Sequence, residues 1–303
     1  MDYLGYLALR LFSAILYMFP LRMNYHTARV IGDAFYRFDK RHRHRAEEHI
    51  RRSFPDWDET RVQKVARESM RNMMYLVLEF LYTTRLLRPT TWNRHITLLN
   101  MSQTLRLLLK RESGIIFLTG HFGNWEVVGY TMAALGFPNN AVARNLDNPY
   151  INDFVLGQRS RRGMNILDKK GATDFIPGII ADKGCVSFIA DQDAGRKGTF
   201  VDFFGRKAST YKSIALLAMQ NEIPVVVGYG TRLDDSFHFE IGIEDIIYPA
   251  DWKDQDRPME YITQRYTTAL ENVIRRAPEQ YLWTHRRWKH RPKGEEQPAD
   301  GIA

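Results

Sequence analysis

Cysteine is almost missing from this 303-residue chain. With Cys185 alone, no disulfide can close within it, and a reducing compartment suits it. Low-complexity tracts and internal repeats are missing too. The 44% hydrophobic and 26% charged residues make a globular composition that excludes long disorder. No Gly-x-Ser-x-Gly stretch occurs, which argues against a hydrolase built on a nucleophile elbow. There is also no His-Glu-x-x-His and no close cysteine pair, so neither common zinc pattern is present.

What is present begins with charge. The net +8 is concentrated in two stretches, Arg37 to Arg52 and Arg275 to Lys293. Such clusters suit an anionic partner: nucleic acid, a phospholipid surface, a phosphorylated substrate or an acidic carrier protein. Charge alone does not choose among these.

The first twenty residues, MDYLGYLALRLFSAILYMFP, narrow the choice. Tyr3, Tyr6, Arg10, Ser13 and Tyr17 recur at spacings of three and four, so one helical stripe is polar or aromatic and the rest is apolar. From Tyr3 to Tyr17 such a helix rises about 21 Å, short of the roughly 30 Å hydrocarbon layer. The expectation is an anchor lying in or dipping into one leaflet, with a tilted span or an ordinary buried helix as alternatives. A cleaved signal peptide is not expected, because the charged start and the small-residue cleavage site are missing. The arginines that follow would place the body on the cytoplasmic side.

Residues 24–87 read as helical, with a break at 53–58 where Asp56 or Asp58 can cap the next helix. After Pro89 the pattern changes to short apolar runs, at 115–118, 141–143, 165–167, 185–190, 200–204, 224–230 and 237–243. Helical segments at 124–135, 150–162, 174–182 and 210–220 lie between them. This alternation predicts an α/β fold with a mostly parallel mixed sheet and helices on both faces. The expected organisation is a membrane-associating helix (1–20), a helical lead-in packed on the main domain (21–95), an α/β domain (96–293) and a flexible tail (294–303).

Ligands bind beyond the carboxyl ends of strands in such sheets, and GHFGNWE (120–126) stands at one of those ends. His121 can take a proton near neutral pH, provided that a carboxylate holds its tautomer. Glu126 suits that role if His121 is on a loop and Glu126 is in the first turn of the next helix. Gly123 permits the sharp path, and Asn124 is a credible N-cap. The helix end leaves N–H groups that could face an oxyanion. A metal site and a non-catalytic turn remain open readings of the same spacing.

HFGNWE resembles the H-x4-D/E motif of the glycerolipid acyltransferase superfamily. In this form it is similar to that of the lipid A late acyltransferases, the lauroyl and myristoyl transferases of lipopolysaccharide assembly. The resemblance extends through HRAEEHIRRSFPDW (44–57), ARNLDNPYINDF (143–154), ADQDAGRKGTFVDFFGRKAST (190–210) and QYLWTHRRWKHRP (280–292). It implies an αβα sandwich and a donor acyl thioester on acyl carrier protein or CoA. The acceptor would be a hydroxyl of a lipid A precursor, with no cofactor and no covalent acyl-enzyme. His121 would be the base and Glu126 its orienting acid.

Arg144 matches the arginine of the family's R-x-L-D-N-P block and would fork a phosphate or an oxyanion, unless it is a surface ion pair. Asp191 and Gln192 match its D-Q pair, and Asp191 would orient Arg144 or bind the acceptor. Gly123, Asn124 and Arg196 complete the expected substrate contacts. No metal is expected, although Asp191 with Asp193 has the chemistry to take Mg²⁺. Trp283, His285, Arg286, Arg287 and Trp288 combine rings with cations in a way that suits a membrane headgroup region, with core packing as the alternative for the two tryptophans. The implied place is the cytoplasmic face of an inner membrane, without nucleic acid. The alternatives are acylation of another glycolipid, such as a phosphatidylinositol mannoside, or of an aminolipid, and a non-catalytic basic membrane-binding protein.

Overall fold

All five residues of strand β2 (Ile115–Thr119) are buried, as a central strand covered on both faces requires. Their side chains alternate. Ile115 and Phe117 belong to one core with helices α4 (Glu59–Leu86), α5 (Ser102–Lys110) and α6 (Trp125–Ala134). Ile116 and Leu118 belong to the opposite core with α8 (Ala172–Ala181), α9 (Lys212–Asn221) and α11 (Pro258–Arg276). This is a helix–sheet–helix sandwich, here in a computed structural model describing residues 1–161 and 163–295. From residue 296 onward the expected tail lies outside the described residues.

The sheet has seven strands in the order β1-β9-β8-β2-β5-β3-β4. The others are β1 (Ile96–Leu99), β3 (Asn139–Ala143), β4 (Met164–Asp168), β5 (Cys185–Ile189), β8 (Val225–Arg232) and β9 (Phe239–Ile247). Every neighbouring pair is parallel except β8 with β9, in agreement with the mostly parallel mixed sheet expected. Two features lie outside the sequence reading. One is β1, a four-residue edge strand. The other is β7 (Arg206–Thr210), which carries too few apolar residues to register as a strand and pairs with the expected strand β6 (Thr199–Phe203) in a separate hairpin. A single turn of helix, α10 (Pro249–Trp252), follows β9.

The lead-in is three helices, α2 (Leu21–Phe38), α3 (Lys40–Ser53) and α4. Asp58 caps α4 by accepting from the Arg61 N–H at 2.7 Å. A further break at Asp39 separates α2 from α3, and Asp39 likewise accepts from the His42 N–H at 3.1 Å. A third core joins this lead-in to the C-terminal segment through Ile50, Phe54, Val62, Phe203, Trp283 and Trp288. Both tryptophans are buried, which makes them core residues.

Helix α1 (Asp2–Met18) docks through its aromatic stripe. Tyr3 meets Tyr150 edge-on at 5.2 Å. Tyr17 meets Tyr82 at 5.1 Å and donates to the Leu81 carbonyl at 2.6 Å. Its support is α7 (Pro149–Ser160), which Asn148 caps by accepting from the Tyr150 and Ile151 N–H groups. The other side of α1 leaves Leu4, Leu7, Leu11, Phe12, Ile15 and Met18 exposed. Among the described residues, no helix is long and apolar enough to cross a membrane.

Candidate active site

Where β2 ends, the chain turns through Gly120 to Asn124 and enters α6. The turn is pinned on both sides. The Gly123 N–H donates to the Gln280 carbonyl at 2.9 Å, the Asn124 N–H to the Gly230 carbonyl at 2.8 Å, and the Leu282 N–H to the His121 carbonyl at 3.0 Å. Gly123 has φ +54, and a Cβ there would lie 1.8 Å from the Gly230 carbonyl oxygen. Only glycine fits. Asn124 Oδ1 accepts from the Val127 N–H at 3.0 Å, so it is the N-cap of α6.

The Asn124 amide also reaches back, donating to Glu79 Oε2 at 2.7 Å. Glu79 is fully buried on α4 and pairs with buried Arg232. Tyr25 donates to Glu79 at 2.9 Å, and Arg232 donates to Asn72 at 2.5 Å. The buried charges are thus paired and hydrogen-bonded, and they tie the mouth of α6 to the lead-in helices.

His121 is the ionisable side chain this turn presents. Its Nδ1 is 2.7 Å from Asp191 Oδ1, and the two side chains are 17% and 3% exposed. Burial works against the Asp191 charge, but the His121 ring and hydrogen bonds from that residue outweigh it. The carboxyl is held down at about 2. An ionised Asp191 makes Nδ1 the N–H donor and leaves Nε2 with a lone pair. Nε2 lies 3.4 Å from the Gln192 amide nitrogen. Trp125 packs edge-on against the ring at 4.8 Å, and His285 lies parallel to it at 6.5 Å. Burial, joined by the His121 and Arg287 charges, pulls His285 down to about 4 despite Asp191. Tyr281 is raised well above the ordinary phenol, first by burial and then by Asp191.

This pairing corrects two expectations. Glu126 does not hold His121: its carboxylate is taken by Arg159, at 2.5 and 3.0 Å. With Asn124 as the cap, Glu126 is the second residue of α6. The turn of the helix brings Trp125 against the ring and points Glu126 toward α7. Asp191 does not orient Arg144 either, because it is committed to His121. Arg144 is 79% exposed and paired with Asp147 at 2.9 Å, which is the surface-pair alternative. Strand β5 lies between β2 and β3, so Arg144 leaves the sheet one strand away from the loop that carries His121.

The other expected contacts divide. Gln192 is beside His121, and Gly123 and Asn124 shape the turn. Arg196 is exposed on the loop after Asp193. Asp193 is occupied by the Gly195 N–H and by His290 Nδ1 at 2.6 Å. Among the described residues, no three His, Cys, Asp or Glu side chains gather as a metal would need. Cys185 is buried in β5, and burial pushes its thiol up to about 12, which suits a core residue and not a nucleophile.

Residues that the sequence reading missed complete the site. Buried Arg287 donates to the Ser209 carbonyl at 2.5 Å, to Thr210 Oγ1 at 2.6 Å and to the Gln192 carbonyl at 3.3 Å, which fixes the loop bearing Asp191. Arg287 stands in the quoted THRRW block, expected at a headgroup region; its burial and internal hydrogen bonds correct that. Arg159 lies in a helix without any motif, and only proximity shows that it partners Glu126.

Beside Trp125 a narrow slot of ≈ 70 Å³ runs between α6 and the sheet. Phe117, Val128, Ala141, Met164, Ile166 and Phe188 line it, with Glu126 and Arg159 in the wall. An apolar slot whose edge, Trp125, packs against a histidine ring suits a substrate with a hydrocarbon chain and a polar end.

Comparison with known proteins agrees with this chemistry. The family profile described as Bacterial lipid A biosynthesis acyltransferase matches residues 1–290. The chain is 26% identical over 271 residues to the lipid A biosynthesis lauroyltransferase of Escherichia coli (strain K12), covering 87% of this chain and 84% of that protein. It is 30% identical over 189 residues to the lipid A biosynthesis palmitoleoyltransferase of the same strain, 61% and 59% of the two chains. A lipid A biosynthesis acyltransferase of Haemophilus influenzae is 26% identical over 248 residues, 79% and 75%.

Proposed function

The chain belongs to the bacterial lipid A biosynthesis acyltransferase family, and from that premise we propose that His121, anchored on Asp191, moves a fatty acyl chain from a thioester to a hydroxyl of a lipid A precursor. The observation that carries the assignment is the 2.7 Å contact of Nδ1 with a buried carboxylate, which leaves Nε2 to act as the base, and the apolar slot begins at Trp125, whose ring packs on His121.

In this scheme the acyl chain lies in the slot and its thioester carbonyl stands near Nε2. The acceptor oxygen attacks the carbonyl carbon as Nε2 takes its proton, and Asp191 stabilises the imidazolium that forms. The oxyanion is met by the start of α6, where the Trp125 and Glu126 N–H groups have no helical carbonyl behind them. Collapse expels the thiolate of acyl carrier protein or CoA, which the imidazolium proton neutralises. No acyl-enzyme forms and no cofactor is needed. Positioning of the base contributes about 10²- to 10⁴-fold in rate.

The exposed apolar face of α1 supports seating on the cytoplasmic face of an inner membrane. Mass spectrometry of lipid A from cells with the wild-type gene, without it and with His121→Ala tests the reading. One acyl chain is expected with wild type only. An unchanged lipid A profile in all three would refute it.

A further inference from the structure

A second cavity stands apart from the acyl slot, a cleft of ≈ 1070 Å³ between α1, the C-terminal end of α4 and α7. Four arginines line it, Arg10, Arg85, Arg88 and Arg161, against one carboxylate, Asp153. Several arginines of this protein close ion pairs, such as Arg67, Arg71, Arg159, Arg265 and Arg276. Among the described residues, none of the four in the cleft has a carboxylate within salt-bridge distance. Arg88 donates to the Arg85 carbonyl at 3.1 Å, and aromatic side chains hold two of the others. Arg10 donates to the Tyr6 hydroxyl at 2.8 Å and stands 5.7 Å from the Phe154 ring, and Arg85 stands 5.4 Å from the Tyr17 ring.

Like charges gathered without a counter-charge are an uncompensated cost to the fold, and an anion removes it. Guanidinium forks match a phosphate monoester in geometry as well as in charge. The cleft also leads to the chemistry. Gln158 borders both the cleft and a narrow gap shared with Glu126, Arg159 and Met164, and those three border the acyl slot. Gln158 and Arg161 face the cleft from α7 while Arg159 faces the slot, all within about one helical turn of 5.4 Å. On the outer side of α1 lies the exposed apolar face, so the mouth of the cleft sits where a headgroup would be.

We propose that this cleft binds the phosphorylated headgroup of the glycolipid acceptor, with Arg10, Arg85, Arg88 and Arg161 as its phosphate ligands and the tyrosine rings against its sugar. The proposal rests on the acyltransferase reading for the identity of the acceptor, but not for the anion chemistry. A concave, ring-lined cleft favours a small headgroup over the convex acidic surface of a carrier protein.

The test uses the full chain with Arg85→Ala/Arg161→Ala, and Arg85→Lys/Arg161→Lys as the conservative pair. All of these side chains are exposed, so folding should survive. Flotation is measured with phosphatidylcholine vesicles carrying a diphosphorylated disaccharide lipid, its dephosphorylated analogue, or phosphatidylglycerol at matched charge. Wild type should prefer the diphosphorylated lipid. The alanine pair should lose that preference by about 10- to 100-fold while keeping phosphatidylglycerol binding, and the lysine pair should recover part of it. The acceptor KM should rise by a similar factor with kcat held.

Equal loss on phosphatidylglycerol would overturn the proposal in favour of bulk surface charge. Competition by millimolar inorganic phosphate equal to that of the lipid would reduce the cleft to a general anion site. A raised KM for the acyl carrier thioester alone would assign the cleft to the donor. If wild type floats selectively but transfers no acyl group, the catalytic reading fails and the cleft stands. If transfer proceeds and the variants change neither binding nor KM, the cleft fails alone.

Discussion

Asp191→Asn isolates the contact on which the catalytic reading depends. The amide keeps the size of the side chain and an oxygen for Nδ1–H, and removes only the charge 2.7 Å from the ring. The carboxyl is held at about 2 against an ordinary 3.8, in spite of burial. A difference of that size corresponds to about 2 kcal/mol, or roughly thirtyfold from charge alone. Loss of the correct tautomer adds to it, so kcat should fall by about 10²- to 10⁴-fold with both KM values little changed. The depressed carboxyl also stabilises the fold above its unfolded pKa, a contribution lost as pH falls through the folded value. Wild type should therefore exceed the variant by about 2 kcal/mol in urea unfolding at neutral pH, with the gap closing between about pH 4 and 2. Glu126→Gln is the control, because its partner is Arg159. It should lower kcat by less than about tenfold. A near-normal kcat in Asp191→Asn, with Glu126→Gln as inactive as His121→Ala, would refute the assignment and restore Glu126 as the partner.

Three further outcomes follow from the geometry. Glu79→Ala strands the buried Arg232 charge and frees the Asn124 cap, so chemical denaturation should show a loss of about 3–5 kcal/mol, with activity lost along with the mouth of α6. Gly129→Ala would put a Cβ 2.8 Å from Met164 Cε, pushing that flexible side chain into the slot. Competition between acyl donors should then shift toward shorter chains by about fourfold per methylene, from roughly 0.8 kcal/mol each. His285 is held neutral in the fold down to about 4, whereas the unfolded chain takes its proton near 6.5. Stability should thus decline as pH falls from 6.5 to 4, by at most about 3 kcal/mol, and His285→Gln should flatten that decline.

Local pattern carried a large part of this protein. The five buried residues of β2, the alternation that predicts the parallel sheet, and the caps Asn124 and Asp58 are each decided by neighbours within four positions. The spacings of Tyr3, Tyr6, Arg10, Ser13 and Tyr17 showed that α1 has two unlike faces. They did not show which face would dock, because Tyr82 and Tyr150 reach the stripe only through the packing of α4 and α7. Strands β1 and β7 escaped for a related reason. Each is stabilised by its pairing partner more than by its own apolar content.

The site divides in the same way. From the chain alone came His121 on a strand-end loop, Gly123 as the residue that permits the turn, and the family whose chemistry uses them. Which carboxylate serves His121 was decided by the sheet, since β2 and β5 run parallel and bring Asp191 to the ring from 70 positions away, while the pitch of α6 carries the nearer Glu126 off to Arg159. Sequence distance measures reach along one chain, and a hydrogen bond depends on reach through space. That is why the base was legible and its partner was not.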